Sequence, residues 1–160
     1  MAKAPTEIAE GAKAPAFDLP ADSGGRARLK DFAGRSLVLY FYPKDDTAGC
    51  TKEALDFTAA AKKFAAANAA VIGVSKDSAE KHDKFKAKHK LKVTLGSDED
   101  GKTVEAYGVW GEKTLYGKKY MGIDRSTFLI DGKGVIRKIW RKVKVPGHVE
   151  EVLAAVKALG

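Results

Sequence analysis

Apolar positions along the chain fall into runs of two kinds. SLVLYFYP (Ser36 to Pro43) is continuously apolar and aromatic, of strand length, and bounded by Gly34 and Pro43. Such a run predicts a strand covered on both faces. AAVIGVS (Ala69 to Ser75) repeats the pattern, and VTLGS (Val93 to Ser97) is a shorter version. AFDLP (Ala16 to Pro20) predicts a short strand ending at proline, and ARLKDFAG a second short strand with a turn closed by Gly34. Other segments carry helical spacing. From about Ala48, Leu55, Phe57, Ala61, Phe64 and Ala65 recur at helical spacing in a long helix filled with alanine. SAEKHDKFKAKHK predicts a polar helix capped by Ser78, and GKTVEAYGV a short one ending at Gly108. From Tyr120, YMGIDRSTFLID and GVIRKIWRKV flank the turn DGKG (Asp131 to Gly134), which predicts a hairpin. Pro146 then opens a last helix, with Val149, Val152, Leu153, Val156 and Leu159 on one face, ending at Gly160.

The predicted order is β-β-β-α-β-α-β-α-β-β-α. Early alternation of β and α implies parallel crossovers, and the late hairpin adds antiparallel strands. The expected fold is an α/β three-layer sandwich: a mixed central sheet with helices on both faces. No repeat, linker or composition break divides the chain, so residues 1–160 read as one domain, with 1–11 a loose lead.

Composition narrows the function classes. At 44% hydrophobic and 31% charged, the chain is neither disordered nor of low complexity. Its longest strictly apolar run, Leu37 to Tyr42, is far short of the roughly 20 residues of a membrane span. Nor does the N-terminus read as a secretory signal. One cysteine excludes an internal disulfide, and a reducing, cytoplasmic setting is expected. The net charge is +8, yet the basic residues are spread along the chain. Their densest run, Glu80 to Lys92, reads as the solvated face of a helix, and no nucleic-acid-binding motif accompanies it. His82, His89 and His148 are scattered, and His82 and His89 stand too far apart on a helix to share a metal.

Chemistry concentrates in YFYPKDDTAGCTKEALDF (Tyr40 to Phe57). A buried strand runs into Pro43, a polar loop follows, and Cys50 sits at the start of a helix. With Thr47 as N-cap, Cys50 is the third helical residue, where free N–H groups and the positive helix end favour the thiolate. The thiolate is the reactive species. Gly49 permits a close approach to the backbone there. A buried, inert cysteine is the alternative, but Asp45, Asp46, Thr47, Thr51 and Lys52 are not the neighbours of a core thiol. Asp45 and Asp46 are expected to organise the loop. Glu53, in the first turn, suits the positive helix end and is a candidate to bridge to an arginine.

These residues also carry a resemblance. Pro43-x-x-x-Thr47-x-x-Cys50 resembles the active-site signature of the peroxiredoxins, thiol peroxidases on a thioredoxin-like fold with an N-terminal extension. FYPKDDTAGCTKEALDF and GVWGEKTLYGKKYMGIDRSTFLID resemble the bacterioferritin-comigratory-protein (PrxQ) branch, and the likeness spans Ala12 to the C-terminal helix. It implies a peroxidase acting on hydrogen peroxide and organic hydroperoxides through a cysteine sulfenic acid, in antioxidant defence, without metal or cofactor. Residue by residue, Cys50 matches the peroxidatic cysteine. Thr47 matches the hydroxyl that bonds the thiolate and the peroxide, Pro43 the ring that shields the thiol, and Arg125 the arginine that completes the pocket. Trp110 is a candidate for the pocket mouth, with plain packing as the alternative. Arg125 likewise has an alternative as an edge-strand surface pair.

Two departures stand out. Ala48 replaces a common proline, and Leu55 stands where many members of the branch have a resolving cysteine. Others place that cysteine in the following helix, where this chain has none. A two-cysteine cycle is closed to it. The expected reductant is an external thiol, thioredoxin or glutathione/glutaredoxin, acting on a monomer or weak homodimer. A thiol–disulfide oxidoreductase is the competing enzyme class, but it ordinarily uses Cys-x-x-Cys and no second cysteine lies near Cys50. A basic nucleic-acid binder or holdase is the non-enzymatic one.

Overall fold

A computed structural model describes residues 8–159. Its centre is a five-stranded mixed sheet in the order β5-β4-β3-β8-β9. The strands β3 (Ser36–Phe41), β4 (Ala69–Ser75) and β5 (Thr94–Ser97) run parallel, while β8 (Ser126–Ile130) and β9 (Ile136–Trp140) add antiparallel neighbours. Central β3 is buried along nearly its whole length, as its unbroken apolar run requires.

Alternate β3 side chains divide the core. Val38, Tyr40 and Tyr42 face a layer made by α1 (Ala48–Ala59), α2 (Ala61–Ala66), α3 (Ala79–His89) and α5 (His148–Leu159). Leu37, Leu39 and Phe41 face the opposite layer. The expectation of helices on both faces holds, but among the described residues the second face carries only short pieces, α4 (Lys102–Ala106) and the 3₁₀ turn Leu29–Phe32. The N-terminal ribbon of β1 (Asp18–Pro20) and β2 (Arg26–Arg28) covers the rest with Phe17, Leu19 and Ala27.

Four local expectations are corrected. The helix expected to run on from Ala48 breaks at Ala60, whose N–H is shared between the Asp56 and Phe57 carbonyls. That tight turn brings Phe64 beside Phe57, with ring centroids 5.8 Å apart, and an alanine-rich stretch has no local signal for it. The strand expected from Tyr120 is two strands. Trp110–Leu115 (β6) and Lys118–Ile123 (β7) form a separate ribbon, and β8 begins at Ser126. Its two-residue turn needs φ > 0 at both central positions, here Tyr116 (φ 51) and Gly117 (φ 77), and tyrosine is not a residue that announces such a turn. Pro146 precedes the last helix rather than opening it, because Gly147 (φ 77) intervenes. The lead expected to be loose through residue 11 is held from Ile8, which packs on the core, and Gly11 N–H donates to the Ile136 carbonyl at 2.7 Å. Residues 1–7 of that lead and the terminal Gly160 lie outside the described residues.

Ser78 caps α3 as expected, accepting from Lys81 N–H at 3.2 Å. Among the described residues no helix is long and apolar enough to cross a membrane.

Candidate active site

The site lies at the C-terminal ends of the parallel strands, where β3 gives way to α1. Tyr42 N–H still bonds the Val74 carbonyl at 3.0 Å, and Pro43, lacking an N–H, ends the ladder. Thr47 is the extended N-cap of α1 (φ −92°, ψ 158°), so Cys50 is its third helical residue. The Thr47 carbonyl accepts from Thr51 N–H at 2.8 Å. Its hydroxyl does not cap the helix. It donates to the Lys44 carbonyl at 2.9 Å, so its proton is engaged and its lone pairs are what it presents to a ligand. Cys50 is 1% exposed, whereas Pro43, Thr47 and Gly49 are exposed around it.

Arg125 reaches this loop from across the sheet. In the antiparallel register Phe41 faces Ser126, so Arg125, one residue earlier, stands beside the end of β3. Because β8 lies between β3 and β9, Arg125 is no edge-strand residue, and its side chain is only 16% exposed. Nη2 donates to Cys50 Sγ at 3.3 Å and Nη1 to Glu53 Oε1 at 2.7 Å. Glu53 follows Cys50 by three residues, which places both on one helix face, and the expected bridge to an arginine is present. Gly49 admits the guanidinium: Nη2 lies 3.1 Å from where a Cβ would stand.

The electrostatics follow from burial. Glu53 is fully buried, with Oε2 lacking any hydrogen-bond partner. Burial pushes its carboxyl up to about 7 against the pull of Arg125. Burial opposes the charge of Arg125, but Glu53 and Cys50 outweigh it and hold the guanidinium protonated. His148, at the start of α5, bonds Thr127 Oγ1 at 2.8 Å, and burial depresses it to about 4, with Arg125 acting the same way.

Trp110 is not among the groups that meet Cys50. It packs against the opposite core layer, with Lys76 Nζ 4.1 Å from its ring centroid. The basic face of α3 is also less idle than expected: Lys86 pairs with Asp22, and Lys88 and His89 pair with Asp46. His82 is fully buried against Asp45, a contact that a solvated-face reading of α3 misses, since 37 residues separate the two.

The guanidinium of Arg125 thus meets the sulfur of Cys50 at the start of α1. The AhpC/TSA family model matches residues 11–139. The chain belongs to the AhpC/TSA family, in its Bcp/PrxQ peroxiredoxin branch. It is 53% identical over 147 residues to peroxiredoxin Bcp of Bacillus subtilis, covering 92% of this chain and 94% of that one. The solved Xanthomonas campestris bacterioferritin comigratory protein, studied for alkyl peroxide reduction, superposes with a TM-score of 0.85 at 47% identity, covering 89% of this chain and 91% of that one. A PrxQ cysteine mutant from Xylella fastidiosa gives 0.91 at 41% identity, covering 96% and 98%. The peroxiredoxin therefore has the thioredoxin-like fold and the thiol-dependent peroxidase activity that its sequence implies.

Proposed function

We propose that Cys50 is the nucleophile of this peroxidase and that Thr47, Arg125 and Pro43 form its peroxide site, on hydrogen peroxide and organic hydroperoxides alike. The observation that carries the reading is the guanidinium of Arg125, pinned by Glu53 and bonded to Cys50 Sγ. Attack of S⁻ on the near oxygen forms an S–O bond and breaks O–O. Sulfur loses two electrons, and the departing alkoxide or hydroxide leaves as alcohol or water after taking a proton. A fixed guanidinium and the N–H groups of the first turn of α1 stabilise the charge that grows on that oxygen. Thr47, its hydroxyl donating to the Lys44 carbonyl, accepts the peroxide O–H on a lone pair and orients it. Exposed Pro43 forms the rim that limits water at the sulfur.

The sulfenic acid is resolved from outside, a one-cysteine cycle, because the chain has no second cysteine. The Xanthomonas relative has been solved as serine mutants at two different cysteines. Here an external thiol condenses with Cys50–SOH, releasing water, and a second thiol frees Cys50 as the disulfide departs. Thioredoxin or glutathione/glutaredoxin supplies these thiols, which places the enzyme in the cytoplasm, where such pools are kept reduced. Among the described residues, four of the six exposed large apolar side chains, Leu115, Tyr116, Tyr120 and Met121, lie on the β6–β7 ribbon. Tyr120 and Met121 are neighbours in a strand and point to opposite faces, so the four make no single broad patch, in keeping with a monomer or weak homodimer.

The test is peroxide consumption with thioredoxin, glutaredoxin plus glutathione, and dithiothreitol in parallel. Turnover with dithiothreitol and with at least one biological donor is expected, lost in Cys50→Ser. Residual turnover in Cys50→Ser would remove Cys50 from the mechanism.

A further inference from the structure

The loop between Pro43 and Thr47 is held down by buried side chains outside it, and the one that reaches it from a helix is His82. His82, on α3 and fully buried, has an acceptor at each ring nitrogen. Nε2 lies 2.9 Å from the Gly96 carbonyl on β5, and Nδ1 lies 2.7 Å from Asp45 Oδ2. A carbonyl only accepts, so Nε2 carries a proton. Asp45 also accepts at both its oxygens, because the Tyr42 hydroxyl donates to Oδ1 at 2.5 Å. Nδ1 therefore donates too, and the ring is an imidazolium.

The backbone of Asp45 is fixed as well: its N–H donates to Asp77 Oδ2 at 2.8 Å, and Asp77 is itself held by Ser75 Oγ at 2.7 Å. Through Asp45, two residues before Thr47, the loop is moored to the residues that leave β3 and β4 and, by way of His82, to α3 and β5. The neighbouring pairs of Asp46 with Lys88 and His89 are exposed, and exposed pairs hold little. The buried pair is the anchor.

We propose that His82 is a positioning residue for the peroxide step: as an imidazolium bridging Asp45 and the Gly96 carbonyl, it fixes the loop that presents Pro43 and Thr47 over Cys50. The proposal rests on the reading of Pro43 and Thr47 as the peroxide site. Three titratable groups face the ring: Asp45 from the loop, Tyr42 from the residue after β3 and Asp77 from the turn after β4. Burial opposes the ring's charge, but Asp45, the Gly96 carbonyl and Asp77 outweigh it, so the proton is held more tightly than by an ordinary histidine. When it is finally lost, a lone pair on Nδ1 confronts the Asp45 carboxylate, and the loop loses its anchor.

Two measurements test this. In ¹⁵N-labelled reduced wild-type protein near neutral pH, both His82 ring nitrogens should carry protons, and a neutral tautomer would overturn the proposal. In His82→Asn, the peroxide rate of the reduced enzyme should fall about tenfold while iodoacetamide alkylation of Cys50 is unchanged. The alkaline fall in wild-type peroxide rate should track the loss of the His82 imidazolium and be absent from the variant. An undiminished peroxide rate in folded His82→Asn would also overturn it. Failure of the site reading shows elsewhere, as an unimpaired Thr47→Val enzyme.

Discussion

A Cβ on Gly49 would stand 3.1 Å from Nη2 of Arg125. That nitrogen is the one bonded to Cys50 Sγ, and its partner Nη1 is pinned by Glu53, so the guanidinium has little room to retreat. Gly49→Ala should lower the second-order peroxide rate by about tenfold, since a misplacement of about 1 Å can cost roughly a hundredfold and the guanidinium must give by a few tenths of an ångström. The backbone there has no positive φ, and alanine favours helix over glycine by up to about 1 kcal/mol, so stability should not fall in parallel. Stopped-flow peroxide kinetics beside urea unfolding separate the two effects. A wild-type rate would show that Arg125 shifts freely.

Arg125→Lys keeps the charge but not the fork. One ammonium cannot serve Glu53 and Cys50 as two guanidinium nitrogens do, 2.7 Å and 3.3 Å away. The peroxide step should slow at least tenfold, about 1.4 kcal/mol of transition-state stabilisation. Near-wild-type kinetics in this variant would reduce Arg125 to a structural pair.

Glu53 and His148 pull the pH dependence of stability in opposite directions. Glu53 rises from its ordinary 4.5 to about 7 on folding, so the native state binds more protons between those values. Its contribution is present below about 4.5 and is lost as pH rises towards 7. His148 falls from 6.5 to about 4, so its contribution is present above 6.5 and is lost as pH falls towards 4. Urea midpoints measured across this range should shift towards relatively greater stability at neutral pH in Glu53→Gln. They should shift towards relatively greater stability in acid in His148→Gln. Parallel profiles for all three proteins would contradict both assignments.

Peroxide without a reductant should leave the one thiol over-oxidised. With a single cysteine, and that 1% exposed, the sulfenic acid can close no internal bridge and is poorly placed to meet a second copy. Intact-mass spectra should show whole oxygens added at Cys50, progressing to sulfinic and sulfonic acids as peroxide rises, with little dimer on non-reducing gels. Quantitative disulfide-linked dimer at modest peroxide would place resolution between subunits.

Much of this molecule is local, and the local part is legible. The apolar run of β3, the proline that ends it and the helix start at Thr47 together place Cys50 at the third helical position, because each acts within a few residues through strand period, a missing N–H or an open helix end. The faces of α5 and the β8–β9 hairpin are written the same way, in helical spacing and turn chemistry. The ribbon of β6 and β7 escapes such reading because its strands are half polar and its turn forces Tyr116 into a left-handed conformation.

What only the tertiary structure decided is which distant residues meet. Arg125 matches a family pattern in the sequence, but its contact with a thiol 75 residues away depends on the antiparallel register of β8 against β3, where a slip of one residue would turn the side chains to the opposite face. Gly49 announces room without saying for what, and Arg125 fills it. His82 reads as one more polar position on a lysine-rich helix. Packing α3 against β5 buries it, and a buried imidazole must find a partner at each nitrogen, which is how it comes to hold Asp45.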